Sequence, residues 1–163
     1  MCQKCDVSVG SGSFSIWSVS QSKFTFALFT DVKNAIAEVF VLLAAANRAV
    51  ANKAHNKMVT KGLHSETVYS LSPTKNITES LRTFGVSEES SNVLVATIGD
   101  DGPSKMSAIA KKIKGKSSPV DQLKHISCYE KIKETYHVRD PELNKGTITD
   151  AILSRMVAKD YIC

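Results

Sequence analysis

Cys2 and Cys5, spaced Cys-x-x-Cys, and His125 and Cys128, spaced His-x-x-Cys, come nearest to a reactive centre in this chain. Two such pairs are how a structural zinc site is built, because that spacing turns both ligands onto one metal. The first pair, however, sits in a Ser/Gly-rich segment, without the strand and helix that a thioredoxin-like dithiol needs. The second pair lies far along the chain. Isolated thiols and a surface histidine are the better reading, and we expect no metal and no cofactor.

Nucleophilic catalysis finds no support either. There is no Gly-x-Ser-x-Gly elbow, no His-Glu-x-x-His and no glycine-rich phosphate loop. Lys111-Lys112-x-Lys114-Gly115-Lys116 lacks the preceding glycine pattern of a P-loop. His55, His64, His125 and His137 share no readable spacing with a carboxylate. The chain is read as no enzyme; a small thiol enzyme using Cys128 or the Cys2/Cys5 pair is a third function class. Arg48, Lys53, Lys57 and Lys61 form a more suggestive group, at or just beyond the end of a long helix. Such cations can neutralise phosphates, but a helix C-terminus also favours them on its own. From spacing alone, a solvated basic face carries more weight. His55 and Asn56 stand nearby as polar groups.

The elements that must position these residues begin with Phe24-Thr25-Phe26-Ala27-Leu28-Phe29, the first convincing strand. Asp31 is suited to cap a helix that runs to about Lys57, apolar nearly all round at its centre and therefore buried. Residues 66–98 read as strand, turn, short capped helix, glycine stop and strand. Val68, Tyr69 and Leu71 are β-formers halted by Ser72-Pro73. Asn76 is a good N-cap, with Glu79 placed to reach back; Ile77, Leu81 and Phe84 share a face, and Gly85 suits a left-handed stop. Val93 to Ile98 reads as a buried strand before Gly99-Asp100-Asp101-Gly102. Lys105–Lys114 suits a short basic helix, Gln122–Ser127 a further strand, and Glu130–His137 one or two helical turns ending before Asp140-Pro141.

Gly146-Thr147-Ile148-Thr149-Asp150 opens the last helix in capping-box fashion. Ile148, Ile152 and Met156 recur every fourth residue and face the core on that spacing, while Leu153 and Val157 flank them as apolar surface that a partner could cover. The fold class is α/β: a small mixed β-sheet with helices packed on it, in a single domain over residues 24–163. Residues 1–23 are expected to be a poorly ordered N-terminus.

The length of 163 residues suits one domain with a real core. A hydrophobic fraction of 42% and a charged fraction of 23% are ordinary for a globular protein, and a net charge of +5 permits, without requiring, an acidic or nucleic-acid partner. Four scattered cysteines form no disulfide framework, so a reducing compartment is expected. No signal peptide is evident. The apolar stretch Ala35–Ala46, broken by Glu38, falls short of the roughly 20 residues that span a bilayer, so no membrane is expected. Asn76-Ile77-Thr78 matches a glycosylation sequon but reads as a helix start.

The literal strings say more. Ser72-Pro73, Asn76-Ile77-Thr78-Glu79-Ser80-Leu81 and Phe84-Gly85-Val86 resemble the PRPK-binding protein (TPRKB) family. So do Asp31-Val32-Lys33-Asn34-Ala35, Leu43-Ala44-Ala45-Ala46-Asn47-Arg48-Ala49-Val50, Lys57-Met58, Asp150-Ala151-Ile152, Arg155-Met156 and Lys159-Asp160. The resemblance is continuous from about Val41 to Asp160. It implies a non-catalytic subunit of the KEOPS complex, in nucleus and cytoplasm, that binds the small lobe of a PRPK-type kinase and supports threonylcarbamoyladenosine modification of tRNA. Its partners would be that kinase, other KEOPS subunits and tRNA, held near its acceptor end. Carried onto this chain, it places kinase contacts on Ile152, Leu153, Met156 and Val157, and tRNA contacts on Arg48, Lys53, Lys57 and Lys61. The alternatives are a stand-alone RNA-binding module using the basic helix face, or a non-functional truncated isoform.

Two departures stand out. The family carries an N-terminal strand whose pattern is missing from residues 1–23. It also carries a longer stretch between Ala35 and Leu43, whereas here Ile36-Ala37-Glu38-Val39-Phe40 leads straight into Val41-Leu42. One helical turn advances about 5.4 Å, so these few residues cannot hold a helix end, a crossover and a new start. We expect two family helices to be fused into one here.

Overall fold

The computed structural model describes residues 5–11, 26–31, 38–87, 90, 92–98, 107–109, 111, 116–118 and 123–161. The expected strand at Val93–Ile98 is its centre. Strand β3 (Asn92–Ile98) is buried from Val93 to Thr97 on both faces, which is why the run is apolar without alternation. On one side it pairs with β2 (Phe26–Asp31), Phe26 opposite Ile98 and Asp31 opposite Val93. On the other it pairs with β1 (Cys5–Ser11), which in turn pairs with β4 (Lys116–Ser118). The sheet order is β2-β3-β1-β4 and every pairing among the described strands is antiparallel, so the expected mixed sheet is corrected to an antiparallel one. The capped helix expected between two strands follows another helix instead of a strand.

β1 overturns the expectation of an N-terminus without a strand. Its sequence, Cys-Asp-Val-Ser-Val-Gly-Ser, carries only two β-branched apolar residues, and pairing with two neighbours supplies what its propensity lacks. Asp31 closes β2 and pairs with Val93, so it is not the cap of the next helix. That helix, α1 (Val39–Ala54), starts after Glu38, whose extended backbone (φ −148°, ψ 151°) overturns the expectation of one fused helix running unbroken from Asp31 to about Lys57; residues 32–37 fall outside the described residues. Val41, Leu42, Ala45, Ala46 and Ala49 form its buried face, while Phe40 is exposed. It ends in a Schellman motif: Asn56 takes a φ of 54°, and Lys57 N–H donates to the Asn52 carbonyl at 2.8 Å.

The segment containing Val68, Tyr69 and Leu71 is not a strand. It is helix α2 (Leu63–Leu71), with Glu66 N–H donating to the Gly62 carbonyl and Ser72 N–H to that of Val68. Every residue from Glu66 to Leu71 is buried, because α2 is wedged among α1, α3 and β2. A short, uniformly buried segment shows neither period, and its β-formers then mislead. Helix α3 (Ile77–Phe84) begins as expected, the Asn76 side chain accepting from Glu79 N–H at 3.2 Å. Glu79 reaches back to the Thr74 hydroxyl rather than to Asn76. Ser80 and Phe84 are buried and Leu81 is exposed. Gly85 has φ −73°, extended rather than left-handed; its glycine is required because a Cβ there would run into the Leu81 carbonyl.

Leu123–Ile126, expected as strand, forms the short helix α4, and α5 (Tyr129–Tyr136) follows it. α5 stops with His137 in the left-handed region at φ 51°. Helix α6 (Asp140–Leu143) opens at Asp140-Pro141, where the proline suits the first turn. Helix α7 (Ile148–Ala158) has the expected capping box: Thr147 Oγ1 accepts from Asp150 N–H, and Asp150 accepts from Thr147 N–H. Of the basic stretch at 105–114, residues 107–109 and 111 are described and helical. Leu42, Leu71, Phe84, Leu94, Ile132, Tyr136 and Ile152 meet in one core between the helices and the Leu94/Ala96 face of β3.

Candidate docking helix and basic loop

The loop from His55 to Gly62 is folded around one buried acid. Glu66 is fully buried, and its carboxylate accepts from Asn52 Nδ2 (2.9 Å), Val59 N–H (3.0 Å), Thr60 N–H (2.8 Å) and Thr60 Oγ1 (2.9 Å). These four bonds compensate for taking the group out of water. With the Schellman turn at Asn56 they fix the loop backbone at both ends. Lys57 and Lys61 stand exposed on it, with Lys53 on the last turn of α1. His55 is exposed too, whereas burial holds the imidazole of His64 below its ordinary pKa and so favours its neutral form at physiological pH.

Arg48 does not join this group. Its guanidinium is half-buried, donates to the Met156 carbonyl at 2.6 Å, and pairs with the Asp160 carboxylate. The expected four-residue basic set is therefore divided: Lys53, Lys57 and Lys61 share the loop end of α1, while Arg48 ties α1 to the end of α7.

The end of α2 is held by groups from far along the chain. Tyr136 Oη donates to the Leu71 carbonyl at 3.0 Å, and burial pushes the phenol's pKa up. Lys159 Nζ donates to the carbonyls of Tyr69 and Ser72, the latter at 3.0 Å, and lies 3.9 Å from the centroid of the Tyr69 ring. Burial, then the nearby Arg48 charge, lowers the Lys159 ammonium to about 8, against the pull of Asp160 and Glu66. Neither Glu66 nor Lys159 carries a signal in the sequence beyond being charged. Charged residues default to the surface, and the partners of Lys159 lie 87 and 90 positions away.

On α7 the structure separates the four residues expected at a kinase contact. Ile152 is 0% and Met156 3% exposed; both belong to the core and offer nothing to a partner. This corrects their place in the expected contact set, and it agrees with their four-residue spacing. Leu153 is half-buried and packs against the core edge. Val157 is 56% exposed, and Tyr161, one turn further, is 82% exposed. Arg155, beside them, pairs with Glu142 at 2.8 Å.

Among the described residues no group of three or more His, Cys, Asp or Glu side chains is placed to hold a metal ion. His125 is exposed, Cys128 is a free thiol before α5, Cys5 lies in β1, and Cys2 falls outside the described residues. No described helix is long and apolar enough to cross a membrane.

The family described as "Kinase binding protein CGI-121" matches residues 17–160, beginning within the segment expected to lie outside the domain. The zebrafish (Danio rerio) protein "EKC/KEOPS complex subunit TPRKB" is 31% identical over 158 residues, covering 83% of this chain and 90% of the relative. Since 83% of this chain is fewer than 158 residues, the zebrafish protein contributes residues with no counterpart here. "EKC/KEOPS complex subunit cgi121" of Aspergillus terreus is 34% identical over 100 residues, 58% of this chain and 51% of the relative. The Yarrowia lipolytica "EKC/KEOPS complex subunit CGI121" is 41% identical over 58 residues, 36% of this chain and 34% of the relative.

Proposed function

The chain belongs to the CGI-121 family of kinase binding proteins, and from that premise we propose that it is a non-catalytic EKC/KEOPS subunit that docks a PRPK-type kinase along α7. In that role it supports threonylcarbamoyladenosine modification of tRNA. The observation that carries the docking reading is the division of α7 into a sealed face and an open one. Ile152 and Met156 lock the helix to the core, and the stripe Leu153–Val157 is left as apolar surface at its edge. A half-exposed valine on a rigid helix suits the centre of a small hydrophobic contact, where one truncated residue carries much of the affinity.

Val157→Arg tests it. Because Val157 is exposed, the change should leave the thermal midpoint within a few degrees of the unmutated chain. It should weaken the complex with the kinase by at least about tenfold in titration calorimetry. Unchanged affinity removes α7 from the contact, and failure of the unmutated chain to bind at micromolar concentration removes the kinase reading.

A second reading adds RNA, either alongside the kinase or as the work of a stand-alone module. The Glu66-pinned loop favours it, since it holds Lys57 and Lys61 outward on a fixed backbone rather than on a floppy tail.

A further inference from the structure

The last turn of α7 is held from behind, by side chains that do not reach the open stripe. A helix end leaves its final carbonyls without partners and frays unless something takes them. Here Arg48 takes the Met156 carbonyl and at the same time pairs with Asp160. Three residues on from Met156, the Lys159 side chain runs inward, 3% exposed, to the carbonyls of Tyr69 and Ser72 and the face of the Tyr69 ring. Val157 lies between these two anchors, its own side chain turned to solvent. The backbone that presents it is thus fastened to α1 on one side and to α2 on the other.

We propose that Lys159 and Arg48 are positioning residues for the α7 docking stripe: they fix the turn that carries Val157, and partner affinity depends on them although neither presents its charged head on the stripe. This rests on the docking reading above. The core contacts of Ile148, Ile152 and Met156 hold α7 up to the residue before Val157, so loosening the clamp frees the chain from Val157 onward without detaching the rest. A mobile Val157 must then be ordered on binding, and that cost appears as lost affinity.

The test compares Lys159→Met, which keeps the stem and removes the donors, with Arg48→Lys, which keeps the charge and loses the fork. Amide hydrogen exchange of the full chain should speed up by about tenfold or more over residues 157–161, while Leu94 and Ala96 in β3 exchange as before. Binding to the KEOPS kinase should weaken about tenfold, and much less when Val157→Ala is already present, because the clamp acts through that side chain. A merely structural loss would be the same in both backgrounds, and equal losses overturn the proposal. So does unchanged exchange at 157–161 in both variants. If Lys159→Met does not fold, Arg48→Lys is read in the same two ways. No binding by the unmutated chain sinks the docking reading and this one together; additive losses sink this one alone.

Discussion

Lys159 places an ammonium where water barely reaches, between two backbone carbonyls and against an aromatic face. Carbonyls at a helix end and a ring face both favour the cation, yet burial and the Arg48 charge outweigh them and bring the group to about 8 from 10.5. Between about pH 8 and 10.5 the unfolded chain holds this proton and the folded chain has begun to release it, so the group's contribution to stability rises with pH across that window. Below pH 8 both states are charged, and the cost of burying the ammonium is complete. The difference between the unmutated chain and Lys159→Met isolates this group from the rest of the chain. Urea denaturation should show that difference shifting in favour of the unmutated chain between pH 7 and pH 10. A difference independent of pH would show that Lys159 titrates at the same pH folded and unfolded.

At the scale of elements, α3 shows how much of a local structure its own residues dictate. The Asn76 side chain accepts from Glu79 N–H, so Asn76→Ala should cost about 1 kcal/mol, read as a lower denaturant midpoint. Gly85 differs from the usual helix-stop glycine: its φ of −73° is open to any residue, and the obstacle is the Leu81 carbonyl. Gly85→Asn should therefore be no milder than Gly85→Ala, whereas a left-handed position would tolerate asparagine better. The Asn76 cap, the Thr147/Asp150 box and the β3 run were legible because each is decided within a few residues. Helix α2 was not, since its Val-Tyr-Ser-Leu string is buried on all sides and only the packing of α1, α3 and β2 chooses its period. β1 depends in the same way on strands 80 or more residues away. In the candidate site, Val157 could be picked out as an apolar residue off the core stripe. Lys159, Arg48 and Glu66 could not be given their roles, because a buried charge is defined by distant partners rather than by its neighbours in sequence.

Across the whole molecule, α1 braces both proposed surfaces: Arg48 at its middle ties to α7, and its end, with Lys53, passes into the Glu66-pinned loop that bears Lys57 and Lys61. The excess charge of +5 is too small to make the entire surface attract nucleic acid, so the proposed affinity for tRNA would have to come from a local group such as this loop. Each lysine that neutralises a phosphate of a single-stranded end contributes about 0.7 to the slope of log affinity against log salt concentration. Lys57→Glu combined with Lys61→Glu should therefore flatten that slope by about 1.4 or more and weaken binding equally for tRNAs of different sequence. Both side chains are exposed and outside the Glu66 hydrogen bonds, so the fold and the kinase affinity should be unchanged. Arg48→Lys serves as the contrast: its guanidinium is occupied at α7, so that variant should leave the salt slope alone. A salt-independent affinity, or one that survives both reversals, would remove the RNA reading while leaving the docking helix as it stands.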